Sequence, residues 1–295
     1  MLMASESPGS PEPLVSICIP VYNGEKFLHR AINTVLKQTY TNTEIIIVDD
    51  RSTDNSWGII KAFNDQRIAA VRNDANLGPE GNWNKALGAS SGEYVKLFHQ
   101  DDLLAEDCVA KQVRGLETHP DAVLAFCRRR IIGPHDRQYF TRGPHIKPGL
   151  IPGSAIVKSC MTRGTNLIGE PAAVLFRRRT AEAVGPFSAK FPYVIDLDYW
   201  VRLLQHGDAF YSAEALASFR VSPQQWSVAI GSRQSADFIQ FVSTHPAFSR
   251  HRSNAFLMLQ AKCRIHGAGL LRTMFYLLFL GRPLTTTKSA CLDPR

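Results

Sequence analysis

Two adjacent aspartates, Asp101 and Asp102, follow the apolar run Tyr94-Val95-Lys96-Leu97-Phe98. Like charges that close raise each other's pKa, so a carboxylate pair at a strand end is costly unless a shared proton or a bound cation relieves it. Hard cations such as Mg²⁺ and Mn²⁺ take oxygen ligands and bridge to substrate phosphates. The pair therefore points to metal-assisted handling of a diphosphate. A second pair, Asp49-Asp50, closes the run Glu44-Ile45-Ile46-Ile47-Val48, where a carboxylate can accept ribose hydroxyls. Helix capping by Ser52, Thr53 or Asp54 would leave Asp49 and Asp50 unexplained. The turn Pro20-Val21-Tyr22-Asn23-Gly24-Glu25 offers a ring that can stack on a base, although on its own a plain strand-to-helix turn explains it better. No Gly-rich fingerprint follows the first strand, and there is no GK[ST] phosphate loop.

The elements that must position these residues alternate. Apolar runs at 15–19, 44–48, 68–71, 93–98 and 121–126 predict buried strands. Helical spacing or capping chemistry predicts helices at 25–37, 57–63, 81–89 and 105–117. Such β-α-β repetition gives a mostly parallel nucleotide-binding sheet flanked by helices, in the α/β class. The stretch 130–150 is rich in Gly, Pro, His and Arg and reads as a loop excursion near a site. Helices at 154–161, 180–184 and 198–206, a strand at 172–176, a closing strand at 215–221 and a helical tail from 235 complete the expectation. Two basic clusters, Arg128-Arg129-Arg130 and Arg177-Arg178-Arg179, follow apolar runs and read as solvated strand ends.

Taken together, the motifs resemble family 2 glycosyltransferases of the GT-A fold. The matching pieces are Val15 through Asn23, Gln38-Thr39-Tyr40, Ile47 through Asp54, Asn76-Leu77-Gly78, Asn84-Lys85-Ala86, Ser91-Gly92-Glu93-Tyr94 and Gln100-Asp101-Asp102. A weaker resemblance continues through Gly169-Glu170-Pro171 and Val184-Gly185-Pro186-Phe187 to the run from Asp196 to Arg202. The resemblance implies that Pro20, Tyr22 and Asp50 line the base and ribose of a nucleotide-sugar. It implies that Asp102 holds Mn²⁺ or Mg²⁺ on the diphosphate while Asp101 contacts the ribose or donor sugar. It makes Asp196 the base that deprotonates the acceptor hydroxyl in a direct displacement with inversion, with Asp198 as competitor or helix cap. Many relatives carry a further metal ligand, a His, where this chain has Ser222 in Arg220-Val221-Ser222.

Composition narrows the setting. The chain has 295 residues, 44% of them apolar and 20% charged, which suits a large α/β domain with an appendage. The division expected is a disordered tail at 1–13, a GT-A glycosyltransferase domain at 14–228 and a C-terminal helical extension at 229–295. Six scattered cysteines suit free thiols in a reducing cytosol. A net charge of +8 favours phosphate-bearing partners or an anionic membrane surface, and no basic stripe with interleaved aromatics points to nucleic acid. The apolar segment 270–280 is shorter than the roughly 20 residues of a membrane span, and Arg272 interrupts it. It reads equally as an interfacial amphipathic helix and as a helix buried against the domain. The expected partners are a nucleotide-sugar donor, a UDP-sugar first, and a saccharide or lipid-linked acceptor of cell-surface polysaccharide or glycolipid synthesis. The expected location is cytoplasmic, with peripheral contact at the inner face of the membrane. A non-catalytic sugar-nucleotide-binding assembly subunit is the alternative, supported by the missing His. A nucleotidyltransferase lacks the Gly/Arg/Lys-rich loop it would need after the first strand.

Overall fold

The computed structural model describes residues 12–223, 225 and 233–280. The expected tail at 1–13 lies outside the described residues except for Glu12 and Pro13, whose carbonyls accept hydrogen bonds from Asn42 and Tyr40. Trp226 and Arg282 also lie outside them.

Ten strands form one sheet: β1 (Val15–Val21), β2 (Thr43–Asp49), β3 (Ile68–Arg72), β4 (Tyr94–Leu97), β5 (Leu103–Leu104), β6 (Ala122–Ile132), β7 (Gln138–Arg142), β8 (Gly149–Ile151), β9 (Val174–Arg177) and β10 (Asp208–Arg220). Its order is β3-β2-β1-β4-β9-β6-β10-β5, with β7 on β6 and β8 on β10. Strands β1, β2, β3, β4, β6 and β10 run the same way, so the sheet is mostly parallel; β9 is inserted antiparallel between β4 and β6.

Successive residues of a strand face opposite sides, and the buried runs use this to build two cores. Cys18, Ile46, Val48, Val95 and Leu97 point to one, which holds Trp83, Phe187 and Trp200. Ile17, Ile19, Ile45, Ile47 and Tyr94 point to the other, which holds Leu28, Ile32 and Val109. Helix α1 (Glu25–Leu36) turns Leu28, Ala31, Ile32 and Val35 inward at helical spacing. Helices α2 (Ser56–Ala62), α3 (Gly78–Gly88), α4 (Cys108–Glu117), α5 (Gly153–Arg163), α6 (Arg178–Val184) and α7 (Ile195–Leu203) fill the remaining connections.

Alternation also corrects the reading of the basic clusters. Arg129 and Arg177 are buried, because every second residue of β6 and β9 faces a core. The Arg177 guanidinium donates to the carbonyls of Ala122 and Leu116 and to the Tyr94 hydroxyl. The expected loop at 130–150 contains β7 and β8, which fold back onto the sheet. Described cysteines are all free, four of them buried.

After β10 come α8 (Arg233–Thr244), α9 (Ser249–Arg252) and α10 (Ala255–Leu280). Helix α10 buries Ala261, Ile265 and Tyr276 and sets Phe275 and Phe279 against Tyr139. Its other side exposes Leu270, Leu271, Met274, Leu277 and Leu278. Among the described residues no helix is long and apolar enough to cross a membrane.

Trp200 joins this packing to the site: its ring is fully buried, and its Nε1–H donates to the Gly169 carbonyl at 3.0 Å. Trp200→Ala is expected to cost about 3–5 kcal/mol, read by urea denaturation, whereas Trp200→Phe is expected to lose markedly less.

Candidate active site

The site lies at the carboxyl ends of β1, β2 and β4. Pro20 sits inside β1, opposite Val48 of β2, two residues beyond the end of the β1–β4 pairing at Cys18 and Leu97. Its missing N–H therefore costs no ladder bond. The turns after β1 and β2 are stitched to each other. Asn23 N–H donates to Ser52 Oγ at 3.0 Å, Thr53 N–H to Asn23 Oδ1 at 2.8 Å and Gly24 N–H to Ser56 Oγ at 2.8 Å. Glu25 N–H donates to Asp54 Oδ2 at 3.0 Å, and Asn55 N–H returns to Glu25 Oε2 at 2.9 Å. Asn23 and Arg51 both adopt left-handed φ, 50° and 58°, which turns the chain sharply at each strand end.

Tyr22 is anchored by its main chain, which exchanges two hydrogen bonds with the Gln100 amide, at 2.8 and 2.9 Å. The residue remains 42% exposed. Asp49 is tied inward, accepting from Arg72 Nε at 3.0 Å and Ser52 N–H at 3.2 Å. Asp50 Oδ1 accepts from Asn73 Nδ2 at 2.7 Å and Leu77 N–H at 2.8 Å. These bonds fix the Asp50 carboxylate rigidly beside the Tyr22 turn.

Asp101 and Asp102 follow β4, and α4 begins only at Cys108, after β5, so neither caps that helix. Asp102 is fully buried; its Oδ1 accepts from Arg220 N–H at 3.0 Å, and its Oδ2 has no hydrogen-bond partner. Burial pushes the pKa of both carboxyls up, that of Asp102 further because Asp101 lies beside it, while Arg220 opposes the shift. The Arg220 guanidinium donates to the Asp101 carbonyl, the Gly133 carbonyl and Asp136 Oδ1 at 2.7, 2.8 and 2.5 Å and lies 4.4 Å from the Phe27 ring centre. A buried oxygen with no partner calls for a proton or a cation. Two carboxylates suit a hard divalent ion that takes its other ligands from phosphate and water. The residues present therefore fit such an ion, with Asp102 Oδ2 as the available ligand. Among the described residues no group of three or more His, Cys, Asp and Glu side chains could hold a metal. Ser222, which follows Arg220 by two residues, is buried.

Asp196 opens α7. Its Oδ2 accepts from Asn166 Nδ2 at 3.1 Å and its Oδ1 from Leu197 N–H at 2.7 Å. Burial, and next the charge of Glu170, push its pKa up to about 7. Asp198 is committed elsewhere, to Arg202 Nε at 2.9 Å and His245 Nε2 at 3.5 Å.

Several neighbours escaped the sequence reading. Arg129 clasps Glu170, with Nε–Oε2 at 2.5 Å, and its Nη2 donates to the Asn166 carbonyl at 3.1 Å. Burial works against ionised Glu170, but Arg129 and Arg142 outweigh it and hold its pKa below the usual carboxylate value. The charge of Glu170 acts on both Asp102 and Asp196 and helps to raise the pKa of each. The Gly169-Glu170-Pro171 run was the only signal for this, and 41 residues separate Arg129 from Glu170. Glu170→Gln leaves a buried guanidinium without its counter-charge. The variant is expected to lose about 3–5 kcal/mol in chemical denaturation.

The family model of glycosyl transferase family 2 matches residues 16–184. An uncharacterized protein, MT1568, of Mycobacterium tuberculosis is 31% identical over 201 residues, 65% of this chain and 62% of that protein. The Escherichia coli protein described as UDP-Glc:alpha-D-GlcNAc-diphosphoundecaprenol beta-1,3-glucosyltransferase WfaP is 29% identical over 196 residues, 66% of this chain and 71% of its own. Among solved structures, Staphylococcus aureus TarS 1-349 in complex with UDP aligns with a TM-score of 0.59 at 18% identity, over 82% of this chain and 74% of that one. The Pyrobaculum calidifontis mannosyltransferase PcManGT, in complex with GDP-Man and Mn2+, aligns with a TM-score of 0.60 at 18% identity, over 91% of this chain and 81% of that one. The structural likeness supports the GT-A fold, and the family match covers more than half of the sequence. This chain belongs to glycosyl transferase family 2.

Proposed function

We propose that the chain moves a sugar from a nucleotide-diphosphate sugar, a UDP-sugar first, to a saccharide or lipid-linked acceptor, with inversion at the anomeric carbon. The observation that carries the reading is a carboxyl at the start of α7, Asp196, which burial and the charge of Glu170 raise to about 7, together with fully buried Asp102, raised in part by the same Glu170, whose Oδ2 has no hydrogen-bond partner. Asp196 takes the acceptor hydroxyl's proton as that oxygen bonds to the anomeric carbon, and the bond to the nucleoside diphosphate breaks. Asn166 orients the base through its hydrogen bond. Pro20 and the Tyr22 ring frame the nucleoside base, Asp50 accepts ribose hydroxyls, and Asp101 contacts the ribose or the donor sugar. A divalent cation, Mn²⁺ or Mg²⁺, held by Asp102 would supply positive charge against the leaving diphosphate.

The names of similar proteins support the substrate class: WfaP is described with a UDP-glucose donor and a diphosphoundecaprenol-linked acceptor, and TarS was crystallised with UDP and UDP-GlcNAc. We assign 14–228 as the catalytic domain and 229–295 as a helical extension. The exposed apolar side of α10 and the net charge of +8 support peripheral contact with an anionic membrane from the cytoplasmic side.

Three outcomes test this. With a labelled donor panel and Mn²⁺, Asp196→Asn is expected to lower kcat by about 10²–10⁴-fold while UDP binding persists. Asp102→Ala is expected to remove the Mn²⁺ dependence of UDP binding, followed by calorimetry. The ionised carboxylate is the working form, so kcat/KM is expected to fall as pH drops through about 7, and that limb to disappear in Asp196→Asn. Stability runs the other way: a carboxyl raised in the folded state favours folding below its unfolded pKa, and this contribution is lost as pH rises through about 7. A wild-type protein that binds UDP yet transfers nothing across the panel would instead be the sugar-nucleotide-binding assembly subunit.

A further inference from the structure

Asp196 draws its hydrogen bonds from two separate segments. Leu197 N–H belongs to α7, which starts directly after the short 3-10 turn Pro192–Val194. Asn166 instead follows α5 and the glycine that closes it, Gly164. The reach between Asp196 and Asn166 is therefore set by how the turn and the end of α5 stand to each other. Arg129 holds Asn166 from the sheet. The helices that follow β10 bear on both segments.

At the turn, Tyr193 N–H donates to Asp237 Oδ2 of α8 at 3.2 Å, and the Phe191 ring meets Phe241 of α8 edge-on, centres 5.4 Å apart. The Tyr193 ring carries the Arg272 guanidinium of α10, 5.1 Å from its centre, and Arg272 Nε donates to Gln234 Oε1 of α8 at 2.9 Å. One planar guanidinium thus ties α10 to both the turn and α8. At the end of α5, Gly164 adopts left-handed φ, 63°, and lies so close to α10 that a Cβ there would come within 2.7 Å of the Ile265 main-chain nitrogen. Ile265 is buried, and the neighbouring Arg264 donates to the Thr162 carbonyl at 3.0 Å. Ile265 and Arg272 stand about 10 Å apart along one continuous helix. A hydrogen-bonded helix changes length little, so α10 fixes the spacing of the two segments it touches.

We propose that α10 braces the catalytic base: Arg272, acting through Tyr193, and the Gly164–Ile265 contact, acting through Asn166, hold Asp196 within reach of the acceptor hydroxyl. The brace rests on the transferase reading and adds to it positioning residues that lie beyond the matched region 16–184. Asp237 steadies the same turn from α8. Proton transfer needs heavy atoms about 3 Å apart, and a misplacement of about 1 Å can cost about 10²-fold in rate. Arg272 acts on the base alone, because the nucleoside end is built on the turns after β1 and β2. The C-terminal extension is thereby bound into the work of the domain before it.

The test uses the full chain with Mn²⁺ and UDP-glucose or UDP-N-acetylglucosamine, water as the acceptor and released UDP as the readout. Attack by water breaks the bond between sugar and diphosphate, and the proton of the attacking water passes to Asp196. Arg272→Gln is expected to lower kcat about 10–100-fold with donor KM and UDP affinity unchanged, and Arg272→Lys, which keeps a cation over the ring, to recover most of it. Gly164→Ala is expected to give the same split through Asn166. In Arg272→Gln the acid limb of kcat/KM is expected to move below about 7, because a base released from its buried place ionises more readily. Glu170 and Arg129, whose charges bear on Asp196, stay in place. Hydrogen exchange, read by mass spectrometry, is expected to quicken at 192–197 in Arg272→Gln while β1, β2 and β4 keep their protection. Unchanged kcat, a parallel loss of UDP affinity, an unmoved acid limb or no recovery in Arg272→Lys overturns the brace. A wild type that releases UDP from neither donor strikes the transferase reading, and the brace is then judged on exchange, where unchanged protection at 192–197 overturns it.

Discussion

The ion pair between buried Arg129 and half-buried Glu170 anchors the loop that positions the base candidate. Desolvating two charges is expensive, and only tight, multiple hydrogen bonding recovers the cost. Arg129 meets this condition by clasping Glu170 and binding the Asn166 carbonyl with the same guanidinium. The loop from Asn166 to Glu170 is thereby pinned to β6. Asn166 and Gly169 bond each other in both directions. From that loop, Asn166 reaches Asp196 while the Gly169 carbonyl receives Trp200 Nε1–H, so both the base candidate and its helix take their places from one ion pair.

The same pair sets an electrostatic conflict. Glu170 stays ionised through its arginines and makes it harder for Asp102 and Asp196 to ionise. A fold that sought stability alone would protonate or replace these carboxyls. Keeping them is the usual cost of a site that must release charge on demand.

The amino-terminal half was legible because β1, β2 and β4 are parallel and buried on both faces, so each reads as an apolar run, while the edge strand β3 is largely exposed. Helix α1 was legible from its spacing. Much of the second half was not. Strand β9 inserts antiparallel between β4 and β6, a choice no local pattern records. Strands β7 and β8 are held by partners elsewhere in the sheet, and their own composition says loop. The arginine triplets misled for a related reason: charge suggests water, but pleating decides which side chain turns inward, and Arg129 and Arg177 find their partners at long range. Acidic candidates could be named because motifs carry them, whereas Asn166, Glu170 and Arg220 act through partners that sequence distance conceals.

The stitching between the turns after β1 and β2 bears on how a ligand would be greeted. Each turn supplies the hydrogen bonds that the other lacks, and the Gln100 amide locks Tyr22 from a third side. The ordering entropy of this rim is met when the chain folds. Almost every folded molecule therefore presents the receptive geometry, and little intrinsic affinity is spent on selecting a rare conformer. A rim of this kind behaves as a rigid template at the nucleoside end, leaving adaptation to the far side of the cleft.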